Sequence, residues 1–144
     1  MLINSLLILL ALLLSSCATN EVRIDNVERP VAIVQAAVVK SMPLGKPKVN
    51  KSKRKFTSQP FLYKGGRFVP ASNSRVRYVS VVEVLGDRRP YSIFIEVINT
   101  QRIQGEFVKV GNDVNIANHI SKSIQFQLSK SLNGGNAIDD FRVF

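Results

Sequence analysis

The sequence predicts an α+β domain: a small antiparallel sheet of three or four strands packed by one helix, preceded by a disordered basic tether. Three observations carry that expectation. The runs Arg75 to Leu85 (RVRYVSVVEVL) and Tyr91 to Ile98 (YSIFIEVI) are β-branched and nearly alternating, which suits strands with one buried face. Beyond Gly111-Asn112-Asp113 the apolar period changes from two to about 3.6, the period of a helix. From Lys40 to Lys55 seven basic residues stand without an acidic one.

The chain opens on Met1 to Ser16, MLINSLLILLALLLSS, whose core from Leu6 to Leu14 is apolar and charge-free. A bilayer span needs about 20 apolar residues. A shorter apolar run followed by two small residues has the layout of a secretory signal. Leu14-Ser15-Ser16-Cys17 is a branched apolar residue, two small residues and a cysteine, and it resembles a bacterial lipobox. That resemblance implies diacylation of the Cys17 sulfur, cleavage before it and acylation of the new amino group. Each buried methylene contributes about 0.8 kcal/mol, so two or more chains anchor stably. Ala18, where inner-membrane lipoproteins carry Asp, resembles the outer-membrane sorting pattern. The implied address is the periplasmic face of an outer membrane; in a Gram-positive cell the same signal implies the outer face of the single membrane.

Three segments follow on this reading: a signal over 1–16, an acylated N-terminus with a linker over 17–60, and a domain over 61–144. Within the linker, Val31 to Val39 (VAIVQAAVV) is a β-branched run between Pro30 and Lys40. It reads either as a first strand of the domain or as a segment that docks on a partner through Val31, Ile33 and Val38. The basic stretch after it, mixed with Pro43, Gly45 and Pro47, is expected to stay extended, because it has little apolar surface to offset its ordering entropy. Such a linker lets the domain work at a distance from the membrane.

The domain is expected to begin near Phe61. Gly86 to Pro90 supplies a hairpin connection between the two long runs, and Ile103 to Val110 alternates as a third strand. Asn112 or Asp113 is placed to cap the helix. Ile116, Ile120, Ile124 and Leu128, with Val114, Ala117 and neighbouring Phe126, form its apolar stripe. Asn133-Gly134-Gly135 is suited to end it, and Ala137 to Phe144 offers a final edge strand.

The search for chemistry returns no catalytic set, metal set or cofactor motif. Cys17 is the only cysteine and His119 the only histidine, so neither an intrachain disulfide nor a thiol or imidazole zinc site can be assembled. Asp139 and Asp140 are adjacent, which on a strand sends them to opposite faces. Glu83 and Glu96 either face one another across the hairpin or point to solvent beside Arg75 and Arg77. Gly65-Gly66 lacks the Lys-Ser or Lys-Thr of a phosphate loop.

The net charge is +10, and its densest cluster is Lys51, Lys53, Arg54 and Lys55. In a cytoplasmic protein, Phe56, Phe61 and Tyr63 beside that cluster would point to nucleic acid. An exported protein meets peptidoglycan carboxylates and lipopolysaccharide phosphates instead. Two functional expectations follow. The first is a non-enzymatic scaffold of an envelope complex, similar in plan to small lipoproteins of secretion and conjugation machines, to secretin pilotins and to lipoproteins of outer-membrane biogenesis. The alternative is a polyanion-binding module acting through residues 40–55.

Overall fold

The computed structural model describes residues 21–131. The signal, Cys17, the expected cap at Asn133 to Gly135, and the expected strand Ala137 to Phe144 with Asp139 and Asp140 lie outside the described residues.

Alternation builds the centre of the sheet. The strands Val76–Leu85 and Tyr91–Ile103 pair antiparallel along their lengths, with Val82 opposite Ile95 and Val84 opposite Ile93. Because side chains alternate across a strand, Val82 and Val84 of the first and Ile93, Ile95 and Val97 of the second fall on one face. All five are buried. Burying a Val or Ile side chain contributes about 1.5–3 kcal/mol, so this double row supplies much of the core.

In chain order the strands are β1 (Val22–Val27), β2 (Lys48–Val49), β3 (Lys55–Thr57), β4 (Phe61–Lys64), β5 (Arg67–Pro70), β6 (Val76–Leu85), β7 (Tyr91–Ile103) and β8 (Glu106–Asn112). The path across the sheet is β1-β7-β6-β3-β2; β4 joins β6 and carries β5, and β8 joins β7. Every pairing is antiparallel. Two helices, α1 (Val31–Ser41) and α2 (Val114–Lys130), pack together on the buried face. The fold class is therefore α+β, with eight strands and two helices among the described residues where three or four strands and one helix are expected.

The largest difference lies upstream of Phe61. Val31 to Val39 is helical, not a strand. Val34, Ala37, Val38 and Ser41 are its buried residues, and their spacing of i, i+3, i+4 and i+7 is a helical stripe. Pro30 suits the entry, since the first turn needs no N–H there; its carbonyl accepts from Ile33 N at 3.0 Å and Val34 N at 3.1 Å. The helix stops at Met42, whose backbone is extended, as the residue before Pro43 favours. Packing has overridden the strand preference of valine.

The basic stretch is folded as well. Phe56, 2% exposed, pairs with Val82 and brings β3 onto the sheet, and β2 folds back on β3. The lysines stay in water while the backbone between them joins the ladder. Residues 21–30 also belong to the domain: β1 pairs with β7, with Ile24 opposite Ile93 and both buried. A domain boundary near Phe61 and a disordered tether over 40–55 are thus replaced by one fold that includes β1 from Val22.

Two further differences are local. β7 runs on to Ile103 and turns at Gln104-Gly105, whose φ values are 51° and 89°; this is a two-residue hairpin of the kind that needs positive φ at both positions. The third strand therefore starts at Glu106 and not at Ile103. Phe126, counted with the helix stripe, is 55% exposed, with Lys130 Nζ 4.3 Å from its ring centre. Val114, also counted with the stripe, is exposed at the first turn, whereas Ile116, Ala117, Ile120, Ile124 and Leu128 are buried as expected. Asp113 is the cap residue, its carboxylate accepting from Ile116 N at 3.0 Å.

Candidate functional site

Two surfaces stand out. The first is a cleft of about 660 Å³ between α1 and the β2–β3 hairpin. Gln35, Ala36, Val39 and Lys40 line it from the helix, Val49 and Phe56 from the strands, and Asn50, Lys51 and Lys53 from the connecting loop. Its volume lies in the range of small-molecule sites, about 300–1,000 Å³.

Asn50 organises the loop. Its side-chain Oδ1 accepts from Arg54 N and Lys55 N, both at 3.0 Å, and its Nδ2 donates to Ser52 Oγ at 2.8 Å. Asn side chains commonly stabilise turns by bonding nearby backbone in this way. From the helix, Gln35 Nε2 donates to the Lys53 carbonyl at 2.9 Å. With the walls fixed, the exposed residues Lys40, Lys51 and Lys53 border the cleft, and none has an ion-pair partner among the described residues.

The second surface is the far end of the β6–β7–β8 arm. Val76 lies opposite Gln101, and Gln101 opposite Val108, so the three share a face with Ile103, two residues further along. This is the face that α1 and α2 cover elsewhere. Here it shows Val76, Ile103 and Val108, which are 36%, 48% and 45% exposed. Val110, beside the register shift of β8, is 50% exposed. On the opposite face Arg77 and Arg102 clamp Phe107, with their guanidinium carbons 3.5 and 4.9 Å from its ring centre. Among the described residues no strand pairs with the outer edge of β8.

The expected docking residues fall elsewhere. Val38 is fully buried, and Val31 and Ile33 are partly buried against the same core. The run packs against the second helix and the sheet, so Val38 faces the protein's own core and not a partner. The four expected polyanion residues are divided. Lys51 and Lys53 reach the cleft, whereas Arg54 lies with its guanidinium 5.3 Å from the Tyr91 ring centre. Lys55 stands opposite Glu83, on the face away from Phe56. Lys40, at the start of the basic stretch, joins Lys51 and Lys53 at the cleft, and Val39, Val49 and Phe56 around the lysines are the apolar signal that marks it.

The remaining titratable groups are dispersed. Among the described residues no group of three His, Cys, Asp or Glu side chains is placed to hold a metal ion. Glu83 and Glu96 do not meet across the hairpin; they lie opposite Phe94 and Val81. Glu96 instead accepts from Lys109 Nζ at 2.9 Å and Asn112 Nδ2 at 3.0 Å. His119 is exposed on α2, its ring 5.5 and 5.6 Å from those of Tyr63 and Phe68. On the edge strand β1, Asp25 accepts from Ser92 Oγ at 2.8 Å and pairs with Arg23. Those two hydrogen bonds, Ser92 first, hold its carboxyl below the ordinary value by favouring the charged form.

Among the described residues no helix is long and apolar enough to cross a membrane. Comparison with family models, curated proteins and solved structures finds no match.

Proposed function

We propose that this protein is a lipid-anchored, non-enzymatic component of a bacterial envelope assembly. It is held through acylated Cys17 on the periplasmic face of an outer membrane and acts by binding a partner protein at the β6–β7–β8 arm. The observation that carries the binding half is the flank formed by Val76, Ile103 and Val108 beside a β8 edge that no strand among the described residues pairs. Exposed branched apolar residues on an open strand edge are the chemistry of strand addition, in which the backbone supplies affinity and alternate side chains supply specificity. The anchoring half rests on Leu14-Ser15-Ser16-Cys17.

The fold alters the geometry of this proposal. Val22 opens β1 only five positions after Cys17, and a chain reaches at most about 3.3–3.6 Å per residue. A protein anchored at Cys17 therefore carries its domain within roughly 20 Å of the lipid, where the expected tether would have allowed a far longer reach. Its partner is expected to be a membrane-proximal envelope protein of a secretion or outer-membrane machine. A photo-crosslinking residue at position 108 tests this in cells. A discrete adduct that is lost when the probe is moved to position 85 supports docking at β8, and equal labelling from both positions contradicts it.

The polyanion-binding alternative, through Lys51, Lys53, Arg54 and Lys55, loses force as a four-residue patch. Arg54 is engaged with Tyr91, and Lys55 is separated from the cleft by the sheet.

A further inference from the structure

We infer that the cleft between α1 and the β2–β3 hairpin binds a single acyl chain of a phosphate-bearing lipid, with the phosphate held by Lys40, Lys51 and Lys53. The walls and the rim have different chemistries. Ala36, Val39, Val49 and Phe56 offer an apolar trough, which a hydrocarbon chain desolvates favourably at about 0.8 kcal/mol per methylene. The rim carries only positive charge. From Lys40 to Lys55 the chain contains no acidic residue, and the three lysines have no ion-pair partner among the described residues. An apolar trough with an uncompensated cationic rim matches an apolar ligand with an anionic head.

A second class of occupant, an acidic peptide added as a strand at the β2 edge, fits less well. β2 contributes only Lys48 and Val49 to the ladder, too short an edge for the repeated backbone bonds from which strand addition draws its affinity. The cleft is also preformed. Asn50 and Gln35 hold the loop against the helix, so binding has little loop ordering to offset. The proposal goes beyond the assembly role. It draws from the anchor reading only the closeness of the domain to lipid, and its test does not use the anchor.

The test is a calorimetric titration of the chain from Ala18 to Phe144, which lacks Cys17 but keeps every residue of the described core. The probe is dodecyl phosphate below its micelle concentration. Dodecyl maltoside has the same chain without charge, and inorganic phosphate has the charge without the chain. Saturable one-to-one binding of dodecyl phosphate is expected, with at least roughly tenfold weaker binding of the maltoside and none of inorganic phosphate. Substituting Lys40→Gln, Lys51→Gln and Lys53→Gln together should weaken dodecyl phosphate by roughly tenfold or more. Val49→Glu should do the same by placing a carboxylate in the trough. Lys109→Gln, on the far strand, should change nothing. All five positions are exposed, so each variant is expected to fold, and a thermal melt verifies this. Absence of saturable binding, or equal affinity in the triple variant, would overturn the inference. So would saturable binding of polyglutamate in place of dodecyl phosphate, which would make the cleft a peptide site.

Discussion

Gln35 in the middle of α1 donates its side-chain amide to the main-chain carbonyl of Lys53, 2.9 Å away in the β2–β3 loop. This one bond joins two segments that read, in sequence, as a strand or docking run and as an extended tether. It makes them opposite walls of one cleft. The loop itself is shaped by Asn50, which accepts two backbone N–H groups within its own turn.

Asn50→Ala removes both of those acceptor contacts, and at an exposed loop each hydrogen bond contributes about 0.5–1.5 kcal/mol net. A loss of about 1–2 kcal/mol in urea unfolding is therefore expected. An unchanged midpoint would mean that the turn is held by something other than its asparagine.

Val38 provides a sharper test of the folded linker. If the segment were a docking surface, Val38→Ala would cost the isolated protein nothing. Fully buried in the core, its truncation removes about two methylene equivalents and leaves a cavity. A destabilisation of about 2–3 kcal/mol by chemical denaturation is expected.

The Asp25 carboxylate has a defined sign of pH dependence. Its titration is displaced downward by the Ser92 hydroxyl and then by Arg23, so the folded state binds the proton less readily than the unfolded chain. The stabilisation is present above the ordinary carboxylate range and is lost as pH falls through the lowered value. In a carbon-detected NMR titration Asp25 should titrate below an unperturbed aspartate, and Ser92→Ala should move it upward.

Val108→Glu separates binding from stability. The residue is 45% exposed on an edge strand, where substitutions usually stay within about 0.5 kcal/mol. The folded domain should survive with an unchanged melting temperature while partner capture is lost. A variant that unfolds instead would assign Val108 to the core.

How much of this was legible in the sequence depends on where each segment finds its partners. β6, most of β7 and α2 announce themselves because their apolar periods run long enough to be seen alone, and Asp113 sits where a cap belongs. Val31 to Val39 misleads because valine favours strands locally, whereas the i, i+3, i+4, i+7 spacing of Val34, Ala37, Val38 and Ser41 declares a helix. β3 is only three residues long. Its membership depends on Phe56 meeting Val82, a contact 26 positions distant in sequence that no local pattern encodes. The charge of the basic run is plain in the sequence, but charge describes side chains and leaves backbone pairing open. The cleft arises from the same long-range pairing, so only its ingredients, apolar Val39, Val49 and Phe56 among lysines, were visible beforehand.

The most direct measurement is affinity purification of the tagged full chain from its native cells in mild detergent, beside the Val108→Glu variant. Mass spectrometry would be applied to the N-terminal peptide and to every co-eluting protein. The expected result is a peptide beginning at acylated Cys17 and a fixed set of envelope proteins that accompanies the wild type and is absent with the variant. An uncleaved chain with unmodified Cys17 would contradict the anchor, and an acylated protein that elutes alone would contradict the assembly role.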